Sequence, residues 1–320
     1  MELEKIGLYT LSDYRAAQIS EKSPLWRCEL IITEYCNFKC PYCRGLRPDC
    51  KGEMSTEKAI SIINQWADQG LKNIRFSGGE PTLHKGLAEM VRQAKERGIE
   101  RIAISTNGSN KLDLYKELIE AGVNDFSISL DACCGAFGDK MAGVAGYFDT
   151  VKSNIAELSK ITYVTVGIVV TPDNVSQLKE IVDFADGLGV NDIRIVPAAQ
   201  WDDVTNVFSS INDELLEKHP ILKYRVQNMK NGRGVRGLTD SDEHRCHLIK
   251  DDMAICGNFH FPCIIYMREQ GKPIGVVGPN MRQERKEWSE NHNTYDDPIC
   301  KKNCLDVCID FNNRCAKLKK

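Results

Sequence analysis

The sequence has no apolar run long enough to cross a membrane, and residues 1–5 contain no apolar signal core. It also has no strong excess of one charge, because 42 Lys and Arg nearly balance 45 Asp and Glu and leave a formal net charge of -3. These absences argue against a membrane protein and against a general attraction to polyanions. They predict a cytoplasmic protein.

Cysteine is abundant instead, with 14 residues in a chain of 320. A secreted disulfide scaffold would need an oxidising compartment, to which nothing at the start of the chain points. Metal ligation in a reducing compartment explains the count better. Cys36, Cys40 and Cys43 have the spacing C-x3-C-x2-C. Three thiolates can hold three corners of an iron-sulfur cube and leave one iron open for another ligand. Zinc is the alternative, with Cys50 as its fourth ligand.

Six strand-helix units follow one another from residue 28 to about residue 200. The helical apolar spacing is clear in Ala59, Ile62, Ile63 and Trp66, which follow the candidate N-cap Ser55. Such units predict parallel strands with right-handed crossovers, and six are too few to close a full barrel. We expect an α/β fold, a partial (β/α)6 TIM-like barrel, with function in the loops after its strands. The predicted strands are Cys28–Thr33, Asn73–Ser77, Arg101–Ser105, Asp125–Leu130, Tyr163–Val170 and Asp192–Pro197.

Small and polar residues follow three of these strands. The second ends in Gly78-Gly79-Glu80-Pro81, the third in Ser105-Thr106-Asn107-Gly108 and the fourth in Ser127-Ile128-Ser129-Leu130-Asp131. The glycines would let the backbone approach a ligand closely, and the carboxylate of Glu80 could accept an ammonium group, although a tight turn is the alternative. With the cysteine loop after the first strand, four consecutive strands end in polar residues, and this predicts one site at the barrel mouth.

In this order, these motifs resemble the radical S-adenosylmethionine (SAM) superfamily over roughly residues 28–197. The resemblance implies that Cys36, Cys40 and Cys43 hold a 4Fe-4S cluster whose open iron binds SAM. It further implies cleavage of SAM by one electron, supplied by a low-potential donor such as flavodoxin or ferredoxin, and abstraction of a hydrogen atom from a substrate C–H bond. The implied SAM-binding residues are Tyr42, Gly78, Gly79, Glu80, Ser105, Asn107, Ser129, Asp131 and, in the fifth strand, Val169 and Val170.

Seven further cysteines lie near the end of the chain, which resembles the SPASM and twitch auxiliary-cluster extensions. Its tail departs from the SPASM spacing, because it reads C-x3-C-x3-C before the last cysteine. We expect one auxiliary cluster on Cys246, Cys263 and two of Cys300, Cys304 and Cys308. Two clusters that also use Cys256 and Cys315, or a zinc site in the tail, are the alternatives. Of these seven, Cys256 is the expected free thiol.

The sequence divides into four expected parts. Residues 1–25 have no assigned role, residues 26–215 form the radical SAM partial barrel, residues 216–245 form a basic linker, and residues 246–320 form the Cys-rich auxiliary-cluster extension. Cys133 and Cys134 follow the fourth strand. They are either small buried side chains or, for Cys134, a catalytic thiol that returns a hydrogen atom to a substrate radical.

The SPASM-like extension favours a peptide or protein substrate. The alternative is a nucleotide, or a base within a nucleic acid, whose phosphates could meet a basic run between residues 218 and 237. That run is otherwise an ordinary solvated linker. A third hypothesis is a non-catalytic iron-sulfur electron-transfer module, against which the SAM-type loops argue. The residues of the basic run are Lys218, Lys223, Arg225, Lys230, Arg233 and Arg236.

Overall fold

The computed structural model describes residues 8–50, 52–199, 201 and 211–318. Nine strands form one sheet in the order β6-β5-β4-β3-β2-β1-β7-β8-β9. The strands are β1 (Arg27–Thr33), β2 (Asn73–Gly78), β3 (Arg101–Thr106), β4 (Asp125–Ser129), β5 (Tyr163–Val170), β6 (Asp192–Pro197), β7 (Asp252–Cys256), β8 (Phe259–Phe261) and β9 (Gly275–Val276).

The first six strands are parallel and lie side by side in chain order, as in a barrel that has not closed. Each matches a predicted strand to within one residue at either end. The predicted α/β partial barrel is therefore confirmed. Because the carboxyl ends of parallel strands share one edge, the loops after β1 to β4 meet above the same mouth.

Helices cover the outer face of the sheet. In the second helix, the Oγ atom of Ser55 accepts the N–H of Lys58 at 3.2 Å, and the side chain of Trp66 is buried against the sheet. The helices are α1 (Asp13–Gln18), α2 (Thr56–Ala67), α3 (Leu87–Glu96), α4 (Leu112–Ala121), α5 (Gly135–Ala142), α6 (Phe148–Leu158), α7 (Leu178–Gly187), α8 (Asp213–Lys218), α9 (Pro220–Lys230), α10 (Ile264–Arg268), α11 (Met281–Asn291), α12 (Pro298–Asn303) and α13 (Asp306–Leu318). None of the described helices has the length and apolar character needed to cross a membrane.

The Cys-rich C-terminal region continues the same sheet. Strand β7 pairs in parallel with β1, so that Cys28 lies opposite Met253, and β8 and β9 follow as antiparallel strands. A buried ion pair between Arg15 and Asp251 ties α1 to the start of this region. No strand is predicted after residue 197, because β7 is short and its partner β1 lies more than 200 residues earlier.

The predicted basic linker contains helix α9, and its charges do not share one face. Arg225 is fully buried in an ion pair with Asp306. Arg233 contacts Asp242 at 2.8 Å. The lysines of the run also have carboxylate partners: Lys218 with Asp186, Lys223 with Glu217 and Lys230 with Asp213.

Candidate functional site

The three cysteines of the C-x3-C-x2-C loop lie directly after β1 and line a cavity of about 260 Å³. Backbone N–H groups point at two of the sulfurs, from Phe38 to Cys36 and from Gly45 to Cys43, each at 3.4 Å. N–H···S contacts of this kind stabilise cluster-bound thiolates. Cys50 lies in a separate hydrophobic cluster with Cys256. The donor set therefore fits a cube with one open iron, and the zinc alternative lacks its proposed fourth ligand at this cavity.

Gly78 and Gly79 pack against the first residues of the cysteine loop. A Cβ on Gly78 would lie 2.2 Å from the Thr33 carbonyl oxygen, and one on Gly79 would lie 2.3 Å from that of Tyr35. Both distances are far below van der Waals contact, so only glycine fits. The N–H of Gly79 donates to Thr33 O at 2.8 Å, and that of Glu80 to Tyr35 O at 2.7 Å. The segment after β2 thus fixes the entry of the cysteine loop while both glycines line the cavity.

Glu80 lies behind this cavity and is 1% exposed. Its Oε1 atom accepts the N–H of Thr82 at 3.0 Å and the hydroxyls of Thr82 and Thr106 at 2.6 and 2.7 Å. Its Oε2 atom accepts the N–H of Asn107 at 2.6 Å. Burial raises the pKa of this carboxyl, and these hydrogen bonds oppose the shift. The carboxylate joins the loops after β2 and β3 and is not among the residues that line the cavity.

Asn107 connects the loop after β3 to the cysteine loop. Its Nδ2 atom donates to Asn37 Oδ1 at 2.8 Å and lies 3.9 Å from the sulfur of Cys36. Asn37 in turn donates to Ser109 Oγ at 2.8 Å. These paired amides hold the first cluster cysteine against the carboxyl end of β3. Ser105 and Ser129 line the same cavity from β3 and β4.

Tyr42 and Asp131 form another part of the cavity wall. The phenol of Tyr42 donates to the Asp131 carboxylate, whose other oxygen accepts the N–H of Val169 at 2.6 Å. Burial raises the pKa of Asp131 to about 6. The structure places Val169, rather than Val170, on the cavity wall. Side chains alternate along β5, and Val170 is fully buried in the hydrophobic core.

Cys134 lies outside the cavity lining and is exposed as the residue that precedes α5. Its neighbour Cys133 packs partly buried against the core. Two arginines that the sequence analysis did not select, Arg194 and Arg268, do line the cavity. Arg194 is the third residue of β6, where a lone charge in a strand gives no sign that it faces a barrel interior.

A second cavity of about 400 Å³ runs through the barrel interior below the first. The two cavities share part of their walls, so the cluster loop faces directly into the interior. The residues that line both are Tyr42, Cys43, Ser77, Ser105, Ser127, Val169, Arg194 and Arg268.

The C-terminal cysteines gather around a third, small cavity. The two remaining cysteines do not line it. Cys256 is buried beside Cys50, and Cys315 is buried in a hydrophobic cluster against which Cys246 and Cys308 pack. Burial raises the pKa of Cys246 to about 12, so this thiol stays protonated unless a metal binds it. The five cysteines that line the cavity are Cys246, Cys263, Cys300, Cys304 and Cys308.

Five thiols around one space fit a single 4Fe-4S cluster, which takes four. His292 and Asp297 come within 4.8 Å of the Cys300 sulfur, which gives the zinc alternative three ligand atoms. That group contains only one of the five thiols. The thiol-rich cavity beside it has enough thiols for a 4Fe-4S cluster or for a zinc ion with four thiolate ligands.

Residues 30–185 match the family model of the radical SAM superfamily. Among curated proteins, the probable GTP 3',8-cyclase of Sulfurisphaera tokodaii is 27% identical over 202 residues, which are 62% of this chain and 64% of that protein. The chain thus spans less than two thirds of the length of this relative.

Two solved structures share the fold. Streptococcus suis SuiB bound to precursor peptide SuiA has a TM-score of 0.60 and 17% identity, over 91% of this chain and 69% of that chain. The protein anSMEcpe with bound AdoMet and Cp18Cys peptide has a TM-score of 0.54 and 16% identity, over 92% and 94%. The family match shows a radical SAM domain over residues 30–185, and the cysteine-lined cavity fits the 4Fe-4S cluster and the SAM that this family uses.

Proposed function

We propose that this protein is a radical SAM enzyme that removes a hydrogen atom from a substrate held in the barrel interior. When bound, the reduced 4Fe-4S cluster and SAM supply a carbon-centred radical strong enough to break an unactivated C–H bond. Cys36, Cys40 and Cys43 would hold the cluster. Gly78, Gly79 and the residues Ser105, Asn107, Ser129 and Asp131 would surround SAM.

The shared wall between the two cavities is the observation that carries this proposal. Tyr42, Cys43 and Val169 line both spaces, so a radical formed at the cluster loop would face the interior cavity directly. A direct connection of this kind suits a reactive species that must meet only its substrate. An electron-transfer module would need neither an open iron nor an adjoining interior cavity.

The chain's own residues orient and enclose the reactants. Glu80 holds the loop of Asn107 in place and acts as a positioning residue. The Tyr42–Asp131 contact closes the wall next to the cysteine loop. Cys134 lies outside the lining of either cavity, so nothing in the placement of its thiol supports a direct role as hydrogen-atom donor.

One auxiliary cluster at Cys246, Cys263 and two of Cys300, Cys304 and Cys308 accompanies the radical SAM cluster in this proposal. Its support is the single cavity that all five thiols line. A second auxiliary cluster would need Cys256 and Cys315, which lie in two separate hydrophobic clusters.

A peptide or protein is the first candidate substrate. Two fold neighbours that cover about nine tenths of this chain, SuiB and anSMEcpe, have a peptide bound. A nucleotide is the second candidate, supported by the sequence relatives named as GTP 3',8-cyclases. A base within a nucleic acid has less support, because Arg225 is buried and the neighbouring lysines have carboxylate partners.

Anaerobic reconstitution followed by dithionite and SAM tests the reaction. We expect 5'-deoxyadenosine from the wild type and none from a Cys36→Ala, Cys40→Ala, Cys43→Ala variant. Cys28→Ala, which removes a buried thiol from β1, is the matched control and should still form 5'-deoxyadenosine. If the wild type shows an intact cluster absorbance but does not cleave SAM, the proposal that it is a radical SAM enzyme is wrong. Replacing dithionite by reduced flavodoxin or ferredoxin tests the proposed electron donor.

A further inference from the structure

The interior cavity is unusually rich in arginine. Seven arginines line it, against the two acidic residues Glu29 and Asp125. Removing several guanidinium groups from water costs folding free energy unless each group has an anionic partner. Any arginine that has no anionic partner within the chain is a candidate to bind an anion from outside it. The seven are Arg27, Arg44, Arg75, Arg194, Arg225, Arg236 and Arg268.

Four of the seven are paired within the chain. The carboxylate partners are Asp252 for Arg27 at 2.9 Å, Asp125 for Arg75 at 3.2 Å, Glu269 for Arg44 and Asp306 for Arg225. A fifth, Arg268, donates to the carbonyl oxygens of Gly45 and Gly78 at 3.0 and 2.9 Å. Those two contacts tie Arg268 to the loops around the cysteines.

Arg194, Arg236 and Arg268 have no carboxylate partner among the described residues, and of the three only Arg268 makes two hydrogen bonds of ordinary length. Arg194 donates to Ser127 Oγ at 2.9 Å. Arg236 reaches only the carbonyl oxygens of Pro197 and Asn303, at 3.4 to 3.5 Å, which are long for hydrogen bonds. Burial lowers the pKa of each to about 10, and nearby Arg75 and Arg44 lower the pKa of Arg194 and Arg236, respectively, further. The charges of Glu29 and Asp125 near Arg194, and of Glu269 near Arg236, oppose these shifts without cancelling them. Arg194 and Arg236 are thus half-buried cations with no described carboxylate in contact, an arrangement that favours binding of an anion.

Both side chains belong to the same wall. Arg194 is part of β6, and Arg236 contacts the carbonyl of Pro197, the last residue of that strand. Glu29, across the sheet in β1, has no ion pair or hydrogen bond from its side chain among the described residues. It lines the cavity as its one unpaired acid. The unpaired charges of the interior therefore sum to a net positive wall on the β6 side.

We propose that Arg194 and Arg236 bind an anionic group of the substrate, a phosphate or a carboxylate, on the β6 wall of the interior cavity. This inference rests on the proposed function, because it assumes that the substrate occupies this cavity. Guanidinium groups bind both anions through paired N–H donors. Arg194 also lines the SAM cavity, so an anion held there would leave the rest of the substrate next to the cluster loop.

Isothermal titration of the reconstituted protein with inorganic pyrophosphate and, separately, succinate tests the site. We expect the wild type to bind at least one of them, and Arg194→Gln and Arg236→Gln each to weaken binding at least about tenfold, or about 1.4 kcal/mol. We expect the lysine variants at both positions to bind with affinities between those of the wild type and the glutamine variants. Arg97→Gln removes an exposed arginine paired with Asp68 and should bind as the wild type does.

The probe that binds more tightly identifies the anion. Tighter binding of pyrophosphate indicates a phosphate, and tighter binding of succinate indicates a carboxylate. Wild type that binds neither probe, or glutamine variants that bind as well as the wild type, would overturn the inference. If a glutamine variant loses its cluster absorbance, the lysine variant at that position decides. Formation of 5'-deoxyadenosine is scored separately. A wild type that cleaves SAM but binds neither anion rejects only this inference, whereas one that binds anions but does not cleave SAM rejects the proposed reaction.

Discussion

The Oε2 atom of Glu80 accepts the backbone N–H of Asn107 at 2.6 Å, and this contact joins two loops of the cluster site that are 27 residues apart. The other carboxylate oxygen accepts three donors from Thr82 and Thr106. A buried carboxylate with four donors from its own chain serves to fix those loops. The resemblance to radical SAM enzymes implies instead that Glu80 faces the ammonium group of SAM.

Two substitutions of Glu80 separate these roles. Glu80→Ala leaves buried N–H groups without acceptors, so we expect a loss of at least about 2 kcal/mol in the free energy of unfolding together with weaker SAM binding. Glu80→Gln keeps one oxygen acceptor, and threonine hydroxyls can rotate to accept from its amide. We expect a smaller loss of both stability and SAM affinity. Chemical denaturation and SAM titration of the reconstituted protein measure the two quantities.

Glu89→Gln changes an exposed carboxylate on α3 and is the control for both measurements. If Glu80→Gln abolishes SAM binding and leaves the free energy of unfolding unchanged, the carboxylate contacts SAM directly. The positioning role would then be wrong.

Gly79 provides a test of the packing between the β2 loop and the cysteine loop. A Cβ at this position would lie 2.3 Å from the carbonyl oxygen of Tyr35, which immediately precedes Cys36. We therefore expect Gly79→Ala to displace the cysteine loop and to lower the iron bound at the radical SAM site. Gly187→Ala is a matched control at the end of α7, where a Cβ meets nothing within 4 Å.

Iron content and the cluster electron paramagnetic resonance signal measure that effect. To remove the contribution of the auxiliary cysteines, both glycine variants are compared in a background in which Cys246 and Cys263 are serine. Equal iron in Gly79→Ala and Gly187→Ala would show that the loop tolerates the added methyl group.

The raised pKa of Asp131 predicts a pH-dependent stability. Burial keeps this carboxyl protonated in the folded protein up to about pH 6, whereas the unfolded chain releases the proton near pH 4. The unfolded state then binds fewer protons between these values, so the free energy of unfolding falls as the pH rises. We expect the wild type to lose about 1 kcal/mol between pH 5 and pH 7 relative to Asp131→Asn.

Chemical denaturation at pH 5, 6 and 7 checks this difference. Asp113→Asn, which changes an exposed carboxylate on α4, should show no such trend relative to the wild type. A constant difference between wild type and Asp131→Asn across the range would mean that the carboxyl is already ionised at pH 5.

The strands and the cysteine loop were predictable because their signals are local. Tyr163–Val170 and Asp192–Pro197 read as strands from their own residues, and the sheet then brings the polar ends of β3 and β4 to one mouth. The direction of a side chain was harder to predict. Val169 and Val170 are chemically alike, and only the pleat of β5 decides which of them faces the cavity.

Long-range features were not predictable from the sequence. Asp252–Cys256 became β7 through pairing with β1, a contact that no local pattern encodes. Arg194 looks like an ordinary exposed charge in β6, and Arg225 like part of a basic run. Arg194 faces the interior cavity only because the six strands come together around it, and Arg225 is buried because it pairs with Asp306 from the last helix.

The number of auxiliary clusters can be read from iron content. In a Cys36→Ala, Cys40→Ala, Cys43→Ala background, the one cavity lined by five C-terminal thiols predicts about four residual irons per chain. About eight residual irons would instead support two auxiliary clusters, and tightly bound zinc would support a zinc site.

Serine substitutions in that background then identify the ligands. A 4Fe-4S cluster needs four thiolates, so four of the five single variants should lose the residual iron and one should retain it. Cys256→Ser and Cys315→Ser are controls that should retain all of it, because both thiols lie in hydrophobic clusters outside the cavity. Loss of iron from either control would place that thiol on a cluster and contradict the single-cavity assignment. The five residues to test are Cys246, Cys263, Cys300, Cys304 and Cys308.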